Sequence, residues 1–224
     1  MSLGPHEQNE AQARALVVRV GQWMHARGWI AAGDGNVSVR LGVDRVLITP
    51  TGKHKGWLTE DDLLLVDQSG DIVRGRGQPS GELAMHLALY ARRPDVGAVV
   101  HAHPPACIAL TLAGISMEEP VLPELVLDLG PVATAPYATP TTAQVPEAVA
   151  PWLGTCRALL LDRHGSLTCG VTLLQAYERL ERLEHGAEVL LRAHSLGRVE
   201  PMTAAMVRRL AALREPKSGE KLDE

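Results

Sequence analysis

Near the middle of the chain, an apolar run that starts at Val96 ends in two histidines, and no other segment limits the possible folds as strongly. The valines and alanines of this run predict a buried strand that ends at His103. Amphipathic helices are predicted on both sides of it, over 81–92 and 104–112. A buried strand between amphipathic helices is typical of an α/β domain in which helices cover a sheet.

Further short strands and helices are predicted from the spacing of apolar residues. Ser80 is expected to cap the helix over 81–92. Because the sequence contains neither an internal repeat nor a low-complexity linker, we expect a single domain over 1–216 and a mobile charged tail over 217–224. The other predicted helices are 7–27, 140–152, 173–196 and 203–213, and the other predicted strands are 36–41, 45–49, 63–67, 72–74, 132–135, 158–162 and 166–169.

Charge and composition argue against several kinds of partner. The chain has 22 basic and 26 acidic side chains, and no run of Lys or Arg exceeds a pair. Binding to a nucleic-acid backbone needs a basic patch, so no nucleic-acid partner is expected. The apolar stretches are far shorter than the ~20 residues of a membrane-spanning helix, so no membrane insertion is expected. The N-terminus lacks the pattern of a secretory signal and the three cysteines form no metal-type pairs, which favours a reducing, cytoplasmic location.

Two histidines at the end of the buried strand, His101 and His103, are candidate metal ligands. Side chains two positions apart project from the same face of a strand, so these imidazoles are expected to converge. His164 lies in another turn that ends a predicted strand, and it could bring a third imidazole to the same point. Three imidazoles suit Zn²⁺ or a similar divalent ion and leave a coordination position open for substrate. The alternative is a histidine pair that binds no ion.

Glu82 and three polar turns are candidates for the remaining chemistry. Glu82 lies at the start of a predicted helix, where a carboxylate could act in a site or simply complement the helix dipole. The turns 33–38, 49–53 and 79–81 are rich in Gly, Ser, Thr and Asn, and their N–H and hydroxyl groups could bind one phosphate together. Each turn by itself is also explained as an ordinary connection. The basic segment 53–55 could attract an anionic substrate, although a solvated loop is the simpler interpretation.

Several of these motifs occur together in one known family. Over about residues 10 to 200, the sequence resembles the class II aldolase/adducin family, with the motifs in the order found there. The stretches that carry the resemblance are Gly35-Asn36-Val37-Ser38-Val39-Arg40, Leu47-Ile48-Thr49-Pro50-Thr51-Gly52, Pro79-Ser80-Gly81-Glu82 with His86, Val99-Val100-His101-Ala102-His103, Ala135-Pro136-Tyr137-Ala138-Thr139 and His164-Gly165.

The resemblance implies a three-layer α/β/α fold around a central, mainly antiparallel sheet. It also implies a homotetramer whose active sites lie between subunits. The metal would be Zn²⁺ or another divalent ion such as Co²⁺, Mn²⁺ or Fe²⁺, with Glu82 near it as acid/base. The implied metal ligands are His101, His103 and His164, and the implied substrate-phosphate site consists of Asn36, Thr51, Gly52, Ser80 and Gly81.

The activity implied by the resemblance is reversible cleavage of a ketose 1-phosphate, such as L-fuculose 1-phosphate or a deoxyketose 1-phosphate. The products are dihydroxyacetone phosphate and an aldehyde, and the metal would withdraw charge as the carbon–carbon bond breaks. Other members use the same three histidines to dehydrate methylthioribulose 1-phosphate, to epimerise ribulose 5-phosphate or to decarboxylate a hydroxy acid. These reactions remain alternatives, because a fold does not select among them.

The sequence departs from the family pattern in the phosphate site and at one acid/base position. Related sequences commonly have a small polar residue where this chain has Gly81 and a threonine near Gly33, so the phosphate site is expected to rely more on backbone donors. Related sequences place a tyrosine from a neighbouring subunit at about the position of Glu124 and another in the C-terminal tail, whereas this chain has no tyrosine after Tyr177. Glu124 could replace that tyrosine as acid/base across the interface, or it could be an ordinary surface carboxylate.

Two non-catalytic interpretations of the sequence are weaker. An adducin-like interaction module would leave the metal histidines free to vary, whereas His101, His103 and His164 are all present together with Glu82. A metal-binding protein without turnover would have no need for the three polar turns. We therefore expect an enzyme whose substrate is a small sugar phosphate.

Overall fold

The computed structural model describes residues 9–212, which form a sheet and flanking helices. The predicted tail over 217–224 and both ends of the predicted domain over 1–216 lie outside the described residues. The helices are α1 Glu10–Ala26, α2 Leu83–Arg92, α3 Pro105–Ala113, α4 Pro123–Asp128, α5 Gln144–Val149, α6 Leu173–Leu196 and α7 Ala204–Ala212. The strands are β1 Asn36–Leu41, β2 Arg45–Ile48, β3 Leu64–Val66, β4 Ile72–Arg74, β5 Ala98–Ala102, β6 Thr134–Ala135, β7 Ala158–Leu161 and β8 Gly165–Gly170.

The eight strands form one sheet in the order β4-β3-β2-β1-β5-β8-β7-β6. The pairing of β6 with β7 is parallel and the other pairings are antiparallel, so the sheet is mixed but mainly antiparallel. The predicted buried strand is β5, which lies between β1 and β8. The structure therefore confirms the predicted α/β fold. Within the part of the chain described here, no helix combines the length and the apolar character needed to cross a membrane.

Helices cover both faces of the sheet, because the side chains of each strand alternate between the faces. Val99 on β5 packs in a core with α2 and α5, whereas its neighbour Val100 packs in a second core with α1 and α6. A third core joins α3, α4 and α6 to β7 through Leu160 and its neighbours. The result is a three-layer arrangement, and its centre is the strand that carries His101.

The element bounds differ from the predictions at functionally important places. Helix α2 begins at Leu83 with Glu82 at its N-cap position, so the prediction that Ser80 caps it is wrong. The Ser80 hydroxyl still accepts a hydrogen bond from the Glu82 N–H at 3.2 Å. Strand β5 ends at Ala102, one residue before His103. Helix α4 was not predicted, although Pro123 in its first turn is a favourable helix start.

Leu160 allows a direct test of the third core. Its side chain is fully buried, and replacement with alanine is expected to lower the free energy of unfolding by about 2–5 kcal/mol because it leaves a cavity. Chemical denaturation measures this effect. Leu112 on α3 is 55% exposed, so Leu112→Ala is the matched control, with an expected change within about 0.5 kcal/mol. Equal effects of the two substitutions would contradict this packing.

Candidate metal centre and active site

Three imidazoles meet at one end of the central strand. His101 lies on β5, His103 follows the end of that strand, and His164 lies in the turn between β7 and β8. One ring nitrogen from each can be chosen so that all three atoms lie within 4.8 Å of one another. The Nε2 atoms of His101 and His103 are 3.0 Å apart. The structure thus brings together the three histidines that the sequence singled out.

Backbone contacts position these three histidines. His101 Nδ1 donates to the carbonyl of Ser166 at 2.8 Å, which leaves its Nε2 facing the other two rings. The backbone N–H of His103 donates to the carbonyl of Trp29 at 2.8 Å. Next to His164, Gly165 packs so closely that an added Cβ would lie 2.2 Å from the carbonyl oxygen of Ala102. Only glycine fits at this position, and its close approach holds His164 beside the end of β5.

Glu82 is a buried carboxylate that faces the three histidines. Its Oε2 lies 3.1 Å from His101 Nε2 and accepts a hydrogen bond from Asn36 Nδ2 at 2.9 Å. Its Oε1 lies 3.4 Å from His164 Nε2 but is buried without a hydrogen-bond partner among the described residues. A buried carboxylate oxygen without a partner is costly, so a cation or a hydrogen-bond donor beside Oε1 would stabilise the site.

Charges within the cluster determine its protonation. Burial raises the pKa of Glu82, but the positive charge and hydrogen bond of His101 outweigh burial and hold that pKa well below its usual value. For His101, burial lowers the pKa and the Glu82 carboxylate raises it more strongly. Burial, followed by repulsion from His101 and His164, lowers the pKa of His103 to about 3. The cluster therefore holds an ionised carboxylate and at least one neutral imidazole near pH 7.

This set of donors fits a divalent cation. Imidazole nitrogens and a carboxylate are ordinary ligands of Zn²⁺ and related ions, and the ion needs neutral imidazoles such as that of His103. A cation held here would also balance the Glu82 charge and sit near its unpartnered Oε1. His101, His103 and His164 are the residues that could hold the ion, with Glu82 beside it.

A line of buried hydrogen bonds supports Glu82 from behind. Asn36 directs its amide nitrogen to Glu82, so its Oδ1 accepts from His86 Nε2 at 2.5 Å. His86 Nδ1 is then an acceptor, and it lies 2.7 Å from the Ser38 hydroxyl. Ser38 lies 2.8 Å from the hydroxyl of Tyr90. Burial lowers the pKa of His86 to about 3, so this imidazole is neutral, and its hydrogen bond to Asn36 places the proton on Nε2.

A polar cavity of about 170 Å³ opens beside the histidines. It is lined by Asn36, Thr51, Ser80 and Gly81, which are four of the five predicted phosphate ligands; the fifth, Gly52, follows Thr51 but is not part of the lining. Six further lining residues were not predicted as site residues, namely Gly33, Asp34, Gly35, Lys55, Pro140 and Thr141. Lys55 is buried, although the segment 53–55 was expected to be a solvated loop. Its neighbour Lys53 is exposed and pairs with Asp62.

Glu124 does not lie at this cavity. It is exposed on α4 and lines a separate cavity of about 550 Å³ together with Trp29, Glu184 and other residues. Within one chain, the structure therefore does not bring Glu124 to the three histidines. The larger cavity contains no part of the histidine cluster, so its size alone does not make it the active site.

Gly81 is fixed by its contact with Thr141. A Cβ at Gly81 would lie 2.9 Å from Thr141 Cγ2, and Thr141 itself has a φ of 63°, which is unfavourable for a β-branched residue. Gly81→Ser would introduce a polar side chain, yet we expect it to destabilise the protein by about 1–3 kcal/mol through overpacking. Thermal unfolding of Gly81→Ser, Thr141→Gly and the double variant measures this. If Gly81→Ser cost as much in the Thr141→Gly background as in the wild type, the explanation would be contradicted.

The fold and this site agree with a family assignment. The chain belongs to the class II aldolase and adducin family, whose profile, described as Class II Aldolase and Adducin N-terminal domain, matches residues 15–191. Aldolases of this family are metal-dependent lyases, and the chain is an enzyme of that class. The histidine cluster and Glu82 lie within the matched range.

Individual relatives carry more than one activity in their names. A 3-oxo-tetronate 4-phosphate decarboxylase of Haemophilus influenzae is 35% identical over 180 residues, covering 79% of this chain and 85% of the relative. An L-fuculose phosphate aldolase of Methanococcus vannielii is 34% identical over 174 residues, covering 77% and 92%. The crystal structure of L-fuculose-1-phosphate aldolase from Thermus thermophilus matches with a TM-score of 0.75 and 33% identity, covering 86% of this chain and 100% of that one.

Proposed function

We propose that this protein is a metal-dependent lyase that breaks a carbon–carbon bond in a small phosphorylated sugar or sugar acid and releases dihydroxyacetone phosphate. The observation that carries the proposal is the position of Glu82. Its carboxylate faces His101 and His164, and Glu82 itself lines the polar cavity beside Asn36. The metal is proposed to be Zn²⁺, with His101, His103 and His164 as its ligands.

Each group has a distinct role in this proposal. A divalent ion at the histidines would act as a Lewis acid on the substrate oxygens and stabilise the charge that develops when the bond breaks. Asn36, Thr51, Gly52, Ser80 and Gly81 bind the substrate phosphate, which fixes the reacting carbon in position. Glu82 moves a proton to or from that carbon. The buried hydrogen bonds from Tyr90 to Asn36 hold Glu82 in one orientation.

Two substrate classes lead to the same product at such a site. Loss of CO₂ from a 3-oxo-tetronate 4-phosphate leaves an electron pair on the hydroxyl-bearing carbon next to the ketone. In a ketose 1-phosphate, a base first removes the proton of the hydroxyl on the carbon that leaves as the aldehyde. Cleavage then releases the aldehyde and leaves the electron pair on the equivalent hydroxyl-bearing carbon. In both reactions, protonation of that carbon yields dihydroxyacetone phosphate. Glu82 therefore serves both without a change in position.

Decarboxylation is the reaction that we favour. The decarboxylase from Haemophilus influenzae is 35% identical to this chain. Decarboxylation also needs no acid/base group for a departing aldehyde, and this chain has Glu124 where its resemblance to the family implies a tyrosine. Ketose 1-phosphate cleavage is the second candidate, supported by the 34% identity with an L-fuculose phosphate aldolase.

Glu124 has a proposed role only in the second reaction. Because it lies away from the three histidines of its own chain, we propose that it reaches the site of a neighbouring subunit in a homotetramer. There it would remove the proton from the substrate hydroxyl whose oxygen becomes the aldehyde oxygen. Glu124→Gln is then expected to slow ketose 1-phosphate cleavage by about 10²-fold or more and to leave decarboxylation nearly unchanged. Sedimentation velocity measures the oligomeric state.

A substrate panel tests the proposed function. Purified protein with Zn²⁺ is incubated with 3-oxo-tetronate 4-phosphate, L-fuculose 1-phosphate and a 5-deoxyketose 1-phosphate, and dihydroxyacetone phosphate is followed by a coupled assay. Released CO₂ and aldehyde are measured in parallel, because they distinguish the two reactions. Dihydroxyacetone phosphate from any substrate supports the proposal. No release from the whole panel by metal-loaded protein would contradict it and favour dehydration or epimerisation.

A further inference from the structure

Lys55 is the most unusual residue of the polar cavity, because it is a lysine that is only 1% exposed. Lysine is almost never fully buried unless its charge is paired. The Lys55 Nζ donates to the carbonyl of Gly33 at 2.6 Å and to the carbonyl of Lys53 at 2.8 Å. An ammonium group has three N–H donors, so these two contacts leave one donor available.

No carboxylate neutralises this ammonium directly. Among residues 9–212, no Asp or Glu lies within ion-pair distance of its Nζ. Burial lowers the pKa of Lys55, while the more distant charges of Asp34 and Glu82 raise it. Two neutral carbonyls compensate only part of the cost of burying a charge. The site therefore contains a buried positive charge that an anion would stabilise.

The cavity places this charge among the neutral phosphate donors. Lys55 shares its lining with Asn36, Thr51 and Ser80, all of which present amide, hydroxyl or backbone N–H groups. One of its acceptors is the carbonyl of Gly33, which lies in the first of the three polar turns. A Cβ at Gly33 would have no neighbour closer than 3.8 Å, so there is free space beside this backbone. The ammonium thus lies beside open space within the predicted phosphate site.

We propose that Lys55 binds the substrate phosphate and supplies the positive charge that the neutral donors of this cavity lack. The inference rests on the proposed function, because it assigns a ligand within the same site. A dianionic phosphate would accept the third N–H of the ammonium and form a charge-assisted hydrogen bond. In the absence of substrate, the same ammonium connects the polar turns 33–38 and 49–53 through the carbonyls of Gly33 and Lys53.

The test uses inorganic phosphate as the probe and compares two matched variants. Lys55→Met keeps the length of the side chain and removes the charge, whereas Lys53→Met removes a charge from the exposed neighbour. By isothermal titration calorimetry, we expect Lys55→Met to weaken phosphate binding by about 10- to 100-fold. Lys53→Met is expected to change it by less than about threefold. Equal weakening by both variants, or unchanged binding in Lys55→Met, would overturn the proposal.

A second measurement needs no variant and covers the case in which Lys55→Met fails to fold. A crystal structure of the wild-type protein with inorganic phosphate is expected to show a phosphate oxygen about 2.7–3.2 Å from Lys55 Nζ. Phosphate bound at Ser80 and Gly81 with Lys55 still bonded only to the two carbonyls would overturn the proposal. Neither measurement depends on turnover. Phosphate binding through Lys55 without lyase activity would refute the proposed function alone, and lyase activity without a Lys55 effect would refute this inference alone.

Discussion

Replacing His103 with alanine is expected to abolish both tight metal binding and turnover. Only two of the three converging imidazoles would remain, and changes to residues that merely orient metal ligands already cost about 10- to 100-fold in affinity. We expect metal affinity to fall at least about 100-fold and the purified variant to contain less than about one tenth of the wild-type metal. Inductively coupled plasma mass spectrometry measures the metal, and the coupled assay measures dihydroxyacetone phosphate.

The matched control for this variant is His194→Ala. His194 is an exposed histidine on α6, so its loss is expected to leave the metal content and the rate unchanged. Circular dichroism establishes that both variants are folded. Full metal content in folded His103→Ala would contradict the assignment of His103 as a ligand.

Replacing Glu82 with glutamine is expected to have a different signature, in which the metal stays and turnover is lost. Glutamine has nearly the same shape and can still accept the hydrogen bond from Asn36, but it cannot carry a proton between substrate atoms. The three histidines remain in place. We expect kcat to fall by about 10²- to 10⁴-fold, which is the usual contribution of a general acid or base. KM and metal content are expected to change by less than about threefold.

Glu200→Gln is the control, because Glu200 is an exposed glutamate outside the site. This variant also removes one carboxylate, and it is expected to keep the wild-type kcat. If Glu82→Gln kept more than about half of the wild-type kcat, Glu82 would not be the acid/base. If it lost the metal together with activity, Glu82 would act mainly as a ligand.

The histidine cluster could be predicted from sequence because its geometry is local. Residues at positions i and i+2 near the end of a strand project together whatever the surrounding fold, and His101 and His103 do so. The position of His164 beside them could only be suggested from its place in a turn. Its approach depends on Gly165 fitting against the end of β5, a tertiary contact that no local pattern describes.

The residues that form the buried hydrogen bonds behind Glu82 follow a pattern that is visible in the sequence. Asn36 and Ser38 alternate with Val37 and Val39, so two polar side chains share one face of a central strand. His86 and Tyr90 are four residues apart and therefore share one face of α2. Polar residues on two facing elements predict a buried polar network, because buried polar groups require partners.

Lys55 could not be found in this way. A basic segment with Gly and a polar turn is ordinarily solvated, and the sequence does not distinguish Lys55 from exposed Lys53. Its burial arises because helix α1 packs closely against this loop: a Cβ at Gly21 would lie 2.4 Å from the Lys55 carbonyl oxygen. Helix α4 was not predicted either; it has only six residues, although proline is well suited to a first helical turn.

The most direct test of metal-dependent bond cleavage is dihydroxyacetone phosphate release before and after removal of the metal. Wild-type protein is assayed as purified, after dialysis against a chelator, and after addition of one equivalent of Zn²⁺, Co²⁺, Mn²⁺ or Fe²⁺ per chain. We expect release by the purified protein, a loss of at least about 100-fold after chelation, and recovery with at least one ion. Undiminished release by metal-free protein would contradict the central claim.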